Sequence, residues 1–345
     1  MTIDLETKEL EELYKLAVEE LEGTGESLIV WAGGDAVNQQ DALAEQFIKR
    51  FPKVPIDIKV DLSKIHDVKI YEELLNGDLT PDVTMLQTSN DFEDWKKIGV
   101  LESFKPQGFS HIRDEFKDSE GDFSAFRMFA FLPQYAKEGV STIPTKLTDL
   151  LTEEYKGKIV STYPHDDDAV LYVYDEMIKQ KGIQFIEDFA KVDPFFVRGT
   201  AGPPLLVGMN GLLGGLTGYE TIPSQPSQSF IPEGDFFISW AQRITMFKLT
   251  KHKAAARLFL AFVQSLEFQQ SLGTYNVRKD IDLGDNAWIG SYDNTNPVGF
   301  YAFMRNRKHI NELRDLMVSY FGPVQGTSPV EDHKMIKLTY GWPFF

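Results

Sequence analysis

Short apolar segments alternate with amphipathic ones over the first hundred residues, and this alternation restricts the chain to an α/β fold. Ser27–Trp31 reads as a buried strand, Ala32-Gly33-Gly34-Asp35 as a turn, and the segment to about Arg50 as a helix with Leu43 and Phe47 on one face. Ile56, Ile58 and Val60 alternate as a second strand. A helix at Val68–Leu75, a strand at Asp82–Leu86 and a helix from Asn90 stopped by Gly99 follow. Strand, crossover helix and strand imply right-handed βαβ units and a mainly parallel sheet. Ahead of them, Leu10, Leu13, Tyr14, Ala17 and Leu21 predict an amphipathic helix ending near Gly23.

The pattern returns with a strand at Lys158–Thr162, a helix at Asp166–Gln180 and a strand at Phe195–Arg198, which predicts a second α/β lobe. At 345 residues the chain is long enough for two domains. Gly199–Tyr219 is glycine-rich and reads as turns and close backbone approaches, and Pro223, Pro226 and Pro232 as a surface loop. Phe236–Met246 alternates for longer than a simple internal strand needs and suits a crossing between lobes. Lys251–Ser265 predicts a helix, Trp288–Pro297 an irregular connection, and Pro297–Tyr320 one final helix. No tandem repeat is seen.

Charge and composition narrow the function. Lys+Arg 35 against Asp+Glu 52 leaves −17, so nucleic acid and anionic membrane are poor partners. With no cysteine there is no disulfide framework or thiolate metal site. No apolar run has the character of a membrane span or a signal peptide, so the expectation is a cytosolic protein or a mature, secreted form. Nucleophile-elbow, phosphate-loop, dinucleotide and zinc-protease motifs are missing, and the six histidines are widely separated.

A series of landmarks runs along the chain: Val30-Trp31-Ala32-Gly33-Gly34-Asp35, Pro81-Asp82-Val83 before Gln87-Thr88-Ser89, and Leu150-Leu151 through Tyr155-Lys156-Gly157-Lys158-Ile159. Phe196-Val197-Arg198-Gly199 and the run from His252 to Phe259 leading to Tyr275-Asn276-Val277-Arg278 complete the series. In their order and spacing they resemble the type II extracellular solute-binding proteins of ABC transporters, in the iron(III), thiamine and polyamine-like branch. The resemblance implies an α/β, two-lobed, periplasmic-binding-protein-like type II fold, each lobe a mainly parallel sheet flanked by helices, joined by a hinge. The expected lobes are 1–128 plus 240–280 and 129–239 plus 281–345. The implied function is capture of a small cationic or neutral polar ligand in the interlobe cleft by hinge closure, for ABC-type uptake. The implied partner is an ABC permease, the implied state a monomer without membrane insertion, and the implied location periplasmic or extracellular. Ferric-iron binding, an enzyme or an orphan secreted protein on the same fold are the alternatives; no organic cofactor is expected, and a metal ion is left open.

In open parallel sheets ligands meet the loops at the carboxyl ends of strands. The candidates are therefore Gly33, Gly34, Asp35, Gln87, Thr88, Ser89, Tyr163, His165, Asp166, Arg198, Gly199, Thr200, Tyr219 and Trp240. If a metal is bound, Asp35, Tyr163, His165 and Tyr219 are its expected ligands. Each has a structural alternative. Gly33-Gly34-Asp35 serves equally as a capped turn, and Ser89 or Asn90 as a helix cap. Asp166, Asp167 and Asp168 either repel an anionic ligand or complement a helix dipole. Arg198 pairs with a ligand carboxylate or with those acids. Trp240 lines a cleft or packs in a core, while Phe129 and Phe131 are expected in the core. For the enzyme alternative, His165 or an aspartate is the base and Tyr219 the acid.

Overall fold

The computed structural model describes residues 2–330. The chain divides into two compact units, the first comprising 2–128 with Ala241–Trp288, the second Phe129–Trp240 with 289–330. The part of the expected second lobe from 331 on lies outside the described residues. Residues 281–288, expected in that lobe, belong to the first unit. Trp288 ties them there, donating from Nε1 to the Asn276 carbonyl at 2.9 Å while Arg113 lies 3.9 Å from its ring centroid.

In chain order the first unit opens with α1 (Thr2–Leu21), β1 (Leu28–Gly33), α2 (Asp41–Arg50), β2 (Ile56–Asp61), α3 (Ser63–Asn76), β3 (Val83–Leu86) and α4 (Ser89–Lys97). β4 (Ser124–Ala136) passes into the second unit. There follow β5 (Ile159–Thr162), α5 (Asp168–Lys181), α6 (Gln184–Lys191), β6 (Phe195–Val197), α7 (Gly202–Leu206), β7 (Gly214–Gly218) and β8 (Ser227–Ser229). β9 (Ile238–Met246) carries the chain back, α8 (Lys253–Gln264) and α9 (Leu266–Ser271) continue the first unit, and α10 (Gly299–Arg305) and α11 (Arg307–Phe321) lie in the second.

In the first unit β2, β1 and β3 run parallel, with Val30 opposite Val83 and Ala32 opposite Met85, and β9 joins β3 antiparallel, Arg243 opposite Leu86. Trp31, Ile70, Phe92, Trp95, Leu101 and Phe247 fill a core against this sheet. Burial at roughly 25 cal/mol per Å² makes such aromatic side chains its main stabilising component. In the second unit β5 pairs β6 and β7 in parallel, and β4 pairs β7 and β8 antiparallel. Both sheets are thus parallel at the centre and take an antiparallel strand where the chain crosses.

Four local expectations need correction. The helix expected at Val68–Leu75 begins at Ser63. The single final helix is two, because Asn306 ends α10 and its side chain accepts the His309 N–H to start α11 at 3.2 Å. The proline-rich loop contains β8, whose Ser227 and Ser229 are buried. Within the glycine-rich stretch, Gly214–Gly218 is a strand paired with β4 and β5, and glycine is needed in it because a Cβ on Gly214 would approach Ile159 Cδ1 to 2.8 Å and one on Gly218 would approach Pro204 Cδ to 2.7 Å. Glycine there allows a strand to pass where no side chain fits.

Candidate functional site

The loops leaving β1 and β3 emerge side by side because those strands are parallel neighbours. Gly33 and Gly34 are required by packing: a Cβ on Gly33 would run into the Ser63 hydroxyl, and one on Gly34 would lie 2.5 Å from Gln39 Oε1 and 2.8 Å from Val60 Cγ1. The same Gln39 oxygen accepts the Asp35 N–H at 2.8 Å, and Asp35 is buried. Ser63 Oγ accepts the Gln87 N–H at 2.9 Å, so one hydroxyl at the start of α3 touches both loops. Thr88 and Ser89 are buried at the start of α4. Behind them Arg243, on β9, donates from Nη1 to the Ser89 carbonyl at 2.6 Å and to Glu93 at 3.2 Å, its guanidinium 4.5 Å from the Phe123 centroid.

Asp91, two residues on, is 4 % exposed, and its carboxyl is pushed up to about 7. Burial is the main cause, opposed by a hydrogen bond from Thr88 and reinforced by the charges of Asp67 and Asp94. His66 is shifted the other way, down to about 4, because burial disfavours its cation. It stacks on Trp31 with centroids 4.8 Å apart, a neutral imidazole serving as core.

In the second unit the β5 and β6 loops are also parallel neighbours. Tyr163 stacks on Phe196 at 4.8 Å and meets His165 edge-on at 5.5 Å; burial lowers the His165 pKa. The three consecutive acids each have a structural partner. Asp166 holds Arg198 at 2.7 and 3.1 Å. Asp167 caps α5, accepting the Ala169 and Val170 N–H groups at 2.8 and 3.0 Å. Asp168 meets Arg307 at 3.3 Å and Arg314 at 2.5 Å. Three guanidinium groups therefore offset three carboxylates, and the acid run does not present a net negative field at the start of α5. Gly199 takes φ +78°, a conformation that favours glycine, and its carbonyl accepts the Thr162 hydroxyl at 2.9 Å. Thr200 beside it is fully buried.

Tyr219 follows β7 and packs edge-on against Phe131 at 5.4 Å. Trp240, 1 % exposed, stacks on Phe129 at 5.4 Å and meets Phe131 at 4.9 Å, so its ring lies within an aromatic layer. Of the four residues proposed for a metal, Asp35 belongs to the first unit and Tyr163, His165 and Tyr219 to the second. Among the described residues no group of three or more His, Asp or Glu is placed to hold an ion.

The candidates thus form two sets, Gly33, Gly34, Asp35, Gln87, Thr88 and Ser89 in one unit and Tyr163, His165, Asp166, Arg198, Gly199 and Thr200 in the other, with Tyr219 and Trp240 in the aromatic layer of the second. Sequence reasoning passed over Ser63, Asn38, Gln40 and Arg243. For Ser63 a local signal existed, a hydroxyl residue directly after a strand. For Arg243 there was none, because its partners lie 150 and 154 residues away.

Residues 78–192 match the model of the family described as bacterial extracellular solute-binding protein. No curated protein matches the sequence. Solved structures with the same fold include iron-bound HitA from Pseudomonas aeruginosa, at 17% identity and a TM-score of 0.65, covering 84% of this chain and 99% of that one. The periplasmic binding protein AfuA from Actinobacillus pleuropneumoniae, with exogenous fructose-6-phosphate bound, is 16% identical with a TM-score of 0.65, covering 86% and 99%. The substrate binding protein of an ABC transporter from Agrobacterium tumefaciens is 13% identical with a TM-score of 0.69, covering 85% and 96%. The fold is that of the type II periplasmic binding proteins. Among the described residues no helix is long and apolar enough to cross a membrane.

Proposed function

We propose that this chain, whose residues 78–192 match the model of the bacterial extracellular solute-binding proteins, is the solute-capturing component of an ABC-type uptake system, working in the periplasm as a monomer and delivering its cargo to a permease. The observation that carries this reading is the placement of polar residues at the carboxyl ends of parallel strands in both units: Asp35, Gln87, Thr88 and Ser89 after β1 and β3, Tyr163, His165 and Thr200 after β5 and β6. Strand ends of this kind gather polar side chains on neighbouring loops, which suits non-covalent recognition of a small polar molecule. Gly33, Gly34, Gly199, Asp166 and Arg198 would shape the loops, and Tyr219 and Trp240 would stiffen their support.

The chemistry offered is hydrogen bonding and ring contact, and no bond-breaking step is assigned. A cationic or neutral polar solute suits the loops better than an anion, since Arg198, Arg307 and Arg314 are engaged by Asp166 and Asp168. The test is thermal: a cognate solute stabilises the protein by RT ln(1 + [L]/Kd) and so raises the melting temperature, and Ser89→Ala, which removes a buried hydroxyl of the β3 loop, lessens the rise. A protein whose melting temperature is unmoved by amines, sugars, thiamine-like compounds and metal salts would refute capture. Ferric iron is the second reading, with Tyr163 and Tyr219 as oxygen donors; a tyrosinate-to-iron band on ferric loading is its signature.

A further inference from the structure

The chemical class of the solute can be read from buried polar atoms that have no protein partner. On the β1 and β3 loops these include Asn38 Oδ1, Gln40 Nε2, Ser89 Oγ, Asn90 Oδ1 and Asp91 Oδ2. Asn38, Gln40 and Ser89 are 7 %, 3 % and 2 % exposed. The loops around them are otherwise well bonded: the Asn38 carbonyl accepts the Asp41 N–H at 3.1 Å and the Gln40 carbonyl the Ala44 N–H at 3.0 Å. An unmet buried polar group costs about 1–3 kcal/mol, so this concentration on two neighbouring loops calls for a molecule that meets it.

The charge of that molecule is constrained as well. Residues 34–40 and 87–91 contain no lysine or arginine. The guanidinium that reaches Ser89, Arg243, is directed to a backbone carbonyl and to Glu93. A buried phosphate or carboxylate would have no counter-charge there, which is prohibitive in a dry site. A buried ammonium needs an ionised carboxylate. Asp91, whose Oδ2 has no partner, is raised to about 7 by burial and by neighbouring acids, so below that pH it is a neutral acid that donates a hydrogen bond instead of supplying a charge, and Asp35 is itself engaged. What remains is a mixture of amide acceptor, amide donor and hydroxyl, the complement of groups that both give and accept hydrogen bonds.

We propose that the first unit recognises a neutral, hydroxyl-rich solute, a sugar or cyclic polyol without a phosphate, through Asn38, Gln40, Ser89 and Asn90. This rests on the capture reading above and names its solute class.

The experiment is differential scanning fluorimetry of the whole chain with three probes: a pool of neutral monosaccharides, disaccharides and inositols; spermidine; and D-fructose 6-phosphate, with ferric citrate as a fourth arm. The neutral pool should raise the melting temperature saturably and the others should not. Ser89→Ala, measured without solute, should keep or raise the melting temperature because it deletes an unpartnered hydroxyl, while weakening the neutral solute about tenfold. Asn38→Leu should show the same pair of effects. A rise only with spermidine, fructose 6-phosphate or ferric citrate overturns the solute class and leaves capture standing. A fall in the solute-free melting temperature of both variants shows that protein or bound water already satisfies these atoms, and overturns the site. Silence in every arm, from folded protein, counts against capture itself.

Discussion

Arg198 grips Asp166 through two hydrogen bonds, Nε to Oδ2 at 2.7 Å and Nη2 to Oδ1 at 3.1 Å, joining the residue after β6 to one two positions ahead of α5. The planar fork of a guanidinium matches both carboxylate oxygens, and the pair is largely shielded from water. Arg198→Gln should therefore destabilise the protein by roughly 2 kcal/mol, since charged hydrogen bonds of this kind contribute about 1.5–3 kcal/mol. Arg198→Lys should recover less than half of it, because an ammonium cannot engage both oxygens in that plane. Urea denaturation of the three proteins side by side decides this.

A second ion pair secures α1. Arg278, fully buried, reaches Glu6 at 3.0 and 3.2 Å and Asp280 at 2.7 Å, while Glu6 also accepts the Leu266 N–H at 2.7 Å where α9 begins. Removing one partner of a buried pair leaves an uncompensated charge, so Arg278→Leu should cost about 3–5 kcal/mol. The double variant Arg278→Leu with Glu6→Leu should lose clearly less than the single one. Equal losses in equilibrium unfolding would mean that the two charges are not coupled.

His252 sets one pH dependence. Burial by itself would lower its pKa, but hydrogen bonds from Nδ1 to Asp82 at 3.0 Å and from Nε2 to Glu26 at 3.1 Å outweigh that and raise it. A histidine with a raised pKa stabilises the fold most below the ordinary value of about 6.5, and that contribution disappears as pH climbs through the folded value. His252→Gln should accordingly be more damaging at pH 6 than at pH 8.5, read as the difference in urea midpoint. The same penalty at both pH values would refute the linkage.

His66 has the opposite sign. Its pKa is lowered to about 4 by burial, so the stability it supplies is complete above about 6.5 and drains away as pH falls toward 4. His66→Phe, which keeps a ring against Trp31, should make unfolding between pH 6.5 and 4 less acid-sensitive than in the parent. An unchanged acid profile in circular dichroism would show that His66 is not buried neutral.

The glycine at the end of β1 is a packing requirement. A methyl on Gly33 would collide with the Ser63 hydroxyl that accepts the Gln87 N–H. Overpacking costs roughly 1–3 kcal/mol, and Gly33→Ala should lose about that much. Adding Ser63→Gly should relieve part of it, whereas no relief in denaturant melts would place the clash elsewhere.

Periodicity along the chain was sufficient for the βαβ repeats, for the amphipathic helices α1 and α8, and for β9 as a strand longer than one sheet requires; the solute-binding resemblance was legible from ordered landmarks. Spacing of apolar residues expresses a local preference, and it needs no knowledge of what lies opposite. Tertiary structure decided the rest. Asp166, Asp167 and Asp168 read as a negative cluster until Arg307 and Arg314, well over a hundred residues on, are brought against Asp168. Gly214–Gly218 carries turn-like composition yet forms a strand, because β4 and β5 pair with it while their neighbours' side chains occupy the volume where its own would be. The electrostatic character of a loop and the steric need for glycine are properties of pairs of distant residues, and only folding forms those pairs.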